Sequence, residues 1–281
     1  MLRKYGWRWM GLGIVVLLVI SVIWTKSAEN TVRWVPSYPQ ADILPVLQQT
    51  QWSDEDYEIL LTQTGLGRLA IINLLEQGQF QQILQIQQAF FDTPEISCTP
   101  NSIISREEHT VDSQGDIVAA AVLAPLEDGD ILISPNSHTL GWRNGHAAIV
   151  IDAQAGLTLE SVVLGEQSTI QSTEKWKSYP SFLVLRVSGL SALQRKEAAR
   201  TAAERLAGVP YGLTIGIFSE KYTDGLLAQT HCAHLVWAAY QATGIDLDSN
   251  GGRIVTPRQL ANSPSLELIQ VYGMDPKKLW K

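Results

Sequence analysis

An uncharged apolar stretch, Met10 to Trp24, follows Arg3, Lys4 and Arg8 at the N-terminus. It constrains the chain more than any other feature, because such a run needs a bilayer, a processing step or a core to cover it. Trp7, Trp9 and Trp24 flank it, as aromatic residues do at a membrane interface. The run is shorter than the ~20 residues of a full span, so a cleaved signal peptide competes with a retained anchor. Lys26 lies two residues before Ala28 and spoils a small-x-small cleavage site. Residues 1–28 are therefore read as a membrane anchor or signal segment, with contact to the membrane through residues 10–24. The basic flank places the N-terminus inside and the remaining chain outside, as a single-pass extracytoplasmic protein or a secreted one if the segment is cleaved.

The rest has globular composition: 45% apolar and 17% charged residues, which excludes a disordered chain. The net charge is −7, and no basic run follows the first eight residues, which argues against nucleic acid as a partner. Two cysteines, Cys98 and Cys232, are too few for a disulfide scaffold. A single bridge between them would remove Cys232 from any chemistry.

Residues 29–40, with Pro36 and Pro39, read as a linker. Residues 41–95 read as a helical region. Ser53 and Asp56 are spaced as a capping box, and the helix they open carries Tyr57, Leu60 and Leu61 and stops near Gly65 or Gly67. A second helix is expected over Arg68 to Glu76, and a third holds Phe80, Ile83, Leu84 and Phe90 and ends near Pro94. Residues 96–281 form the remaining domain. Strand patterns are expected from about Asp116, with apolar runs at 130–134 and 147–151. A turn at 153–156 returns the chain through Leu157 to Val163, and a further strand covers Ser181 to Val187. Ser191 and Gln194 open a helix with Ala199, Ala202, Ala203 and Leu206 on one stripe, ended by Gly208 and Pro210. A last helix starts near Thr230, and Leu266 to Tyr272 alternates like an edge strand. Helices followed by strands mixed with helices indicate the α+β class.

A thiol attacks carbonyls as a thiolate, which a helix N-terminus and a neighbouring imidazole both favour. With Thr230 as N-cap, Cys232 falls in the first turn, where free N–H groups could also stabilise an oxyanion. His146 opens a strand, and the hairpin that follows brings Glu160 roughly opposite it, where a carboxylate could orient the ring. Taken singly, each has an ordinary explanation: a small buried Cys, a strand-end His, a surface Glu. His231 and His234, with Cys232 and His138 or His146, are donors of the type zinc takes, but three ligands within one helix start converge poorly. His138 and Arg143 lie in a polar stretch before His146, placed either to bind a substrate carboxylate or simply exposed.

Five short motifs come in order: Gly-Asp-Ile-Leu (129–132), Gly-Trp-Arg-Asn-Gly-His (141–146), Leu-Glu (159–160), Gly-Val-Pro-Tyr-Gly (208–212) and Cys-Ala-His-Leu-Val-Trp-Ala-Ala-Tyr (232–240). The set resembles the YiiX-like group of permuted NlpC-type papain-fold cysteine hydrolases, over about residues 120–272. Asp56-Tyr57 and Gln63-Thr64-Gly65-Leu66-Gly67 add a weaker likeness. The resemblance implies an α+β, circularly permuted papain-like domain with its base before its nucleophile. It implies Cys232 as nucleophile, His146 as base, Glu160 as third residue and Tyr211 beside the nucleophile in support of the oxyanion. No cofactor and no metal are implied. The substrate class it implies is a cell-wall peptide amide, with lipid-linked substrates, lipid ester hydrolysis or acyl transfer as the alternative, and a non-catalytic tethered binding domain as another. His231-Cys232-Ala233-His234 departs from the Tyr-Cys-Ser-Glu common among relatives, which bears on substrate preference.

Overall fold

A computed structural model describes residues 11–17, 19–20, 33–102, 104–139, 141–221 and 227–280. Most of the expected anchor lies outside them; residues 11–17 and 19–20 are helical and exposed. Among the described residues no helix is long and apolar enough to cross a membrane.

From Arg33 onward the chain is packed. The helices α1 (Asp54–Thr64), α2 (Arg68–Glu76) and α3 (Phe80–Phe91) fall where the sequence puts them. The capping box forms: the Ser53 hydroxyl accepts the Asp56 N–H at 3.2 Å, and the Asp56 carboxylate accepts the Ser53 N–H at 2.8 Å. Gly65 ends α1 at φ +71°.

The strands begin earlier than expected. β1 (Glu95–Pro100) and β2 (Ser105–Val111) pair antiparallel, ahead of the Asp116 boundary. Their sequences hide this. β1 is largely exposed, and β2 buries Glu107 and Glu108 in place of apolar side chains. With β4 (Ser137–Thr139) and β5 (Trp142–Arg143) they make a four-stranded sheet in the order β1-β2-β4-β5.

The larger sheet has the order β10-β9-β3-β6-β7-β8, all antiparallel. Its strands are β3 (Ile131–Ser134), β6 (His146–Asp152), β7 (Leu157–Glu160), β8 (Thr169–Ser172), β9 (Phe182–Val187) and β10 (Leu266–Tyr272). The return strand β7 is shorter than the expected run to Val163. Both faces are covered, so β3 and β9 are buried along their whole length and read as continuous apolar runs rather than alternating ones. Alternation still sorts the side chains. Ile131, Ile133, Ala147, Ile149, Leu183 and Leu185 face α4 (Ala192–Thr201), its π-helical extension Ala202–Leu206, and α5 (Cys232–Gln241). Leu132, Ala148, Val150, Phe182 and Val184 face α1–α3. A short α6 (Pro257–Ala261) precedes β10. Burying each large aliphatic side chain stabilises the layers by ~1.5–3 kcal/mol.

The β10 edge is closed by the turn after α1: Val271 N–H donates to Gly65 O at 2.7 Å, and Gly67 N–H to Ile269 O at 2.9 Å. A Cβ at Gly65 would run into Val271 O, and one at Gly67 into Leu268 O.

Candidate active site

Cys232 begins α5, but its N-cap is His231, not Thr230. His231 is extended (φ −130°, ψ 170°), and its ring accepts the His234 N–H at 3.4 Å. Thr230 cannot cap because it still belongs to a parallel bridge with Tyr211. Its N–H donates to Pro210 O at 2.9 Å, and its carbonyl accepts the Gly212 N–H at 2.8 Å. The Thr230 hydroxyl instead meets His234 Nδ1 at 2.9 Å. His234 Nε2 donates to Lys221 O at 2.7 Å, which fixes the tautomer, since a carbonyl can only accept. Burial holds this imidazole neutral, with its pKa down at about 4.

His146 opens β6 after Gly145, whose φ is +73°. Its Nε2 donates to Glu160 Oε2 at 2.6 Å, and its ring shares the wall of one cleft with the Cys232 thiol. Cys232, His146 and Glu160 are 5%, 3% and 0% exposed. The three residues thus lie in one buried line. Burial pushes the thiol up, but hydrogen bonds and charge from His146 and His231 outweigh it and bring it to about 6. Burial pushes His146 down, while its bonds to Cys232 and Glu160 raise it to about 10. Between these values the favoured state is thiolate and imidazolium.

Glu160 bears a full charge in a buried place because four groups donate to it. Besides His146, Lys175 Nζ reaches Oε2 at 2.5 Å, and Oε1 accepts from Thr158 at 2.6 Å and Trp176 Nε1 at 3.1 Å. Burial alone would raise its pKa; His146 and Lys175 hold it at about 2. The Trp176 ring stacks on His146 at 5.8 Å and meets Tyr179 edge-on at 5.0 Å. Lys175, Trp176, Thr158 and Glu107 carried no periodic or motif signal in the sequence. Glu107 accepts from Tyr179 at 2.8 Å and Ser137 at 3.0 Å; burial works against its charge, and His109, His146 and Lys175 hold it at about 2.

A cleft of about 10 Å³ opens over the thiol, among Asn101, Arg106, Ser137, Asn144 and Tyr211. Burial and the nearby Cys232 charge both raise the Tyr211 phenol. His138 and Arg143 are on β4 and β5, not in a free loop. Arg143 forks onto Glu108 at 3.0 and 2.6 Å, and His138 Nε2 meets the same carboxylate at 3.0 Å. The Arg143 charge is already answered within the protein. His138 Nδ1, buried, has no partner among the described residues.

Neither cysteine is in a disulfide, so the bridge that would have consumed Cys232 is not formed. Nor do the residues fit a metal. Both ring nitrogens of His234 are already bonded, and among the described residues no three His, Cys, Asp or Glu side chains are grouped to hold an ion.

No protein family and no curated protein matches the chain. Among solved structures it aligns with the crystal structure of metalloprotein yiiX from Escherichia coli O157:H7, at 17% identity and a TM-score of 0.39, over 52% of this chain and 97% of that one. This is the group that the ordered sequence motifs resemble.

Proposed function

We propose that this protein is a membrane-anchored, extracytoplasmic cysteine hydrolase of circularly permuted papain-like architecture, acting on an amide bond with cell-wall peptide as the leading substrate. The observation that carries this is the buried Cys232–His146–Glu160 line, held in the ion-pair state. In the first step the Cys232 thiolate attacks the carbonyl carbon and forms the C–S bond. The oxyanion is met by the Cys232 and Ala233 N–H groups that open α5, which have no intrahelical acceptor, and by the Tyr211 hydroxyl. His146 then gives its proton to the leaving nitrogen, and the C–N bond breaks. A water, deprotonated by His146, resolves the thioester and releases the acid. His138 Nδ1 is available to accept a hydrogen bond from substrate. A free alcohol in place of the water turns the same intermediate toward acyl transfer, the second chemistry this site supports.

The test is digestion of cell-wall muropeptides, and of a lipid ester panel, by the wild type and Cys232→Ser. Product from the wild type and none from the variant, with unchanged circular dichroism, supports the reading. Equal product from both, or no acyl-enzyme mass on Cys232 with any substrate, returns the protein to the tethered binding domain.

A further inference from the structure

The chain enters the fold at the catalytic end of the large sheet. Arg33 is 6% exposed and donates to Pro180 O at 3.2 Å, Ala89 O at 3.1 Å and Asp92 O at 2.9 Å, with its guanidinium 4.0 Å over the Tyr272 ring. Trp34 N–H donates to Gly273 O at 2.9 Å. Pro180 and Gly273 lie where β9 begins and β10 ends. Register places His146 at that same end, since Ser134 pairs with His146 and Ile133 with Leu183. β9 and β6 are two strand spacings apart, roughly 10 Å.

Eight residues, 25–32, separate the apolar run from this clamp. They extend at most about 29 Å, at ~3.6 Å each. If the far end of the sheet faced the bilayer, about two-thirds of that reach would be taken up by the ~20 Å height of β9. With the catalytic end facing it, none of that reach is taken up along the sheet.

The surface agrees with the second arrangement. Trp142, Leu164 and Leu213 are 64%, 49% and 44% exposed. Each lies two residues from a cleft-lining residue: Asn144, Val162 and Tyr211. The segment after Leu213 also exposes Phe218, at 85%. At the opposite end α4 exposes Lys196, Glu197 and Arg200.

We infer that the cleft rim, Trp142, Leu164 and Leu213, together with the exposed Phe218 of the segment that follows, is a bilayer-docking surface, so that the cleft opens onto the lipid interface. Resting on the hydrolase reading, this narrows the substrate to an amphiphile that presents its amide or ester at the membrane surface. Cell-wall peptide then qualifies in a lipid-linked form and not as a polymer far from the bilayer.

Two measurements separate the orientation from the chemistry. The first uses the full-length chain in phosphatidylcholine vesicles, with Cys98→Ser and Cys232→Ser, and a nitroxide on Trp142→Cys, Phe218→Cys or Leu193→Cys. Leu193 is 79% exposed at the far end. The ratio of collisions with oxygen to collisions with an aqueous nickel chelate should be severalfold higher at 142 and 218 than at 193. Equal ratios at all three overturn the docking surface, whatever the enzyme does. The second compares the unlabelled wild type on one acyl ester carried by a vesicle lipid and by a water-soluble alcohol. The lipid-borne ester should be preferred severalfold, and Trp142→Ser with Phe218→Ser should abolish the preference while leaving the soluble ester unaffected. Preference unchanged in that variant overturns the inference. If the labels report lipid but neither ester is cleaved, the orientation stands and the hydrolase reading falls.

Discussion

Alkylation of Cys232 as a function of pH reads the central ion pair directly. In the wild type the thiol is held at about 6 and His146 at about 10. The rate with iodoacetamide should therefore rise through pH 6 and stay flat to about pH 10. Against the ordinary thiol value of 9.0, the depression corresponds to about 4 kcal/mol favouring the charged form. His146→Ala removes the larger hydrogen-bonding partner and leaves burial, which pushes the thiol up. At pH 7 the thiolate fraction then falls from about 0.9 toward 0.01, so the rate should drop by ~10–100-fold. The range reflects His231, which also hydrogen-bonds the sulfur and survives the change. His231→Ala should produce a smaller drop. Peptide mass spectrometry resolves Cys232 from Cys98, which is exposed on β1 and reports the reagent's activity in the same tube. A wild-type midpoint near 9, or identical profiles for the wild type and His146→Ala, would refute the pair.

Glu160→Gln should lower turnover by ~10–10³-fold and, by leaving Lys175 without its buried partner, lower the melting temperature; Lys175→Met added to it should recover the melting temperature but not the turnover. Glu160 and Glu107 both titrate near 2 in the fold, below their ordinary range, so they stabilise the protein above about pH 4.5 and that stabilisation is lost as the pH falls toward 2. Urea unfolding across pH 5 to 2 should show this slope, and Glu107→Gln with Glu160→Gln should flatten it; an unchanged slope would place the acid sensitivity elsewhere. Gly65→Ala forces a Cβ toward Val271 O at a positive φ and should cost well over ~1 kcal/mol in chemical denaturation.

The sequence made the helices and the grouping of the candidate site legible for physical reasons that can be named. Ser53 with Asp56 and Ser191 with Gln194 form reciprocal caps whose partners lie three residues apart, so local spacing suffices to find them. Cys232, His146 and Glu160 are residue types whose chemistry is known in isolation, and the tight turn at 153–156 makes the approach of Glu160 to His146 a short-range matter. What surrounds them depends on contacts distant in the chain. Lys175 reaches Glu160 from the 3₁₀ turn after β8. Glu108 meets Arg143 across the small sheet, 35 residues away, and thereby withdraws the cation that sequence alone offered to a substrate. β2 was obscured because its buried side chains are carboxylates, and apolar alternation is blind to them. Thr230 has the stronger capping side chain, but a parallel bridge to Tyr211 holds its backbone and leaves the task to His231.

The turn at Gly65–Gly67 bears on crowding. An open strand edge is a template for another chain, the more so where copies of a protein are concentrated. On β10, Ile269 O and Val271 N–H are already satisfied by the two glycines. Beside β8, Ser168 N–H is tied to Val209 O, and Glu166 O accepts from Tyr211. Strand addition from a neighbour would have to displace these intramolecular bonds first. The two glycines thus act as a guard against sheet-to-sheet polymerisation, and a side chain at either would loosen that guard as well as the fold.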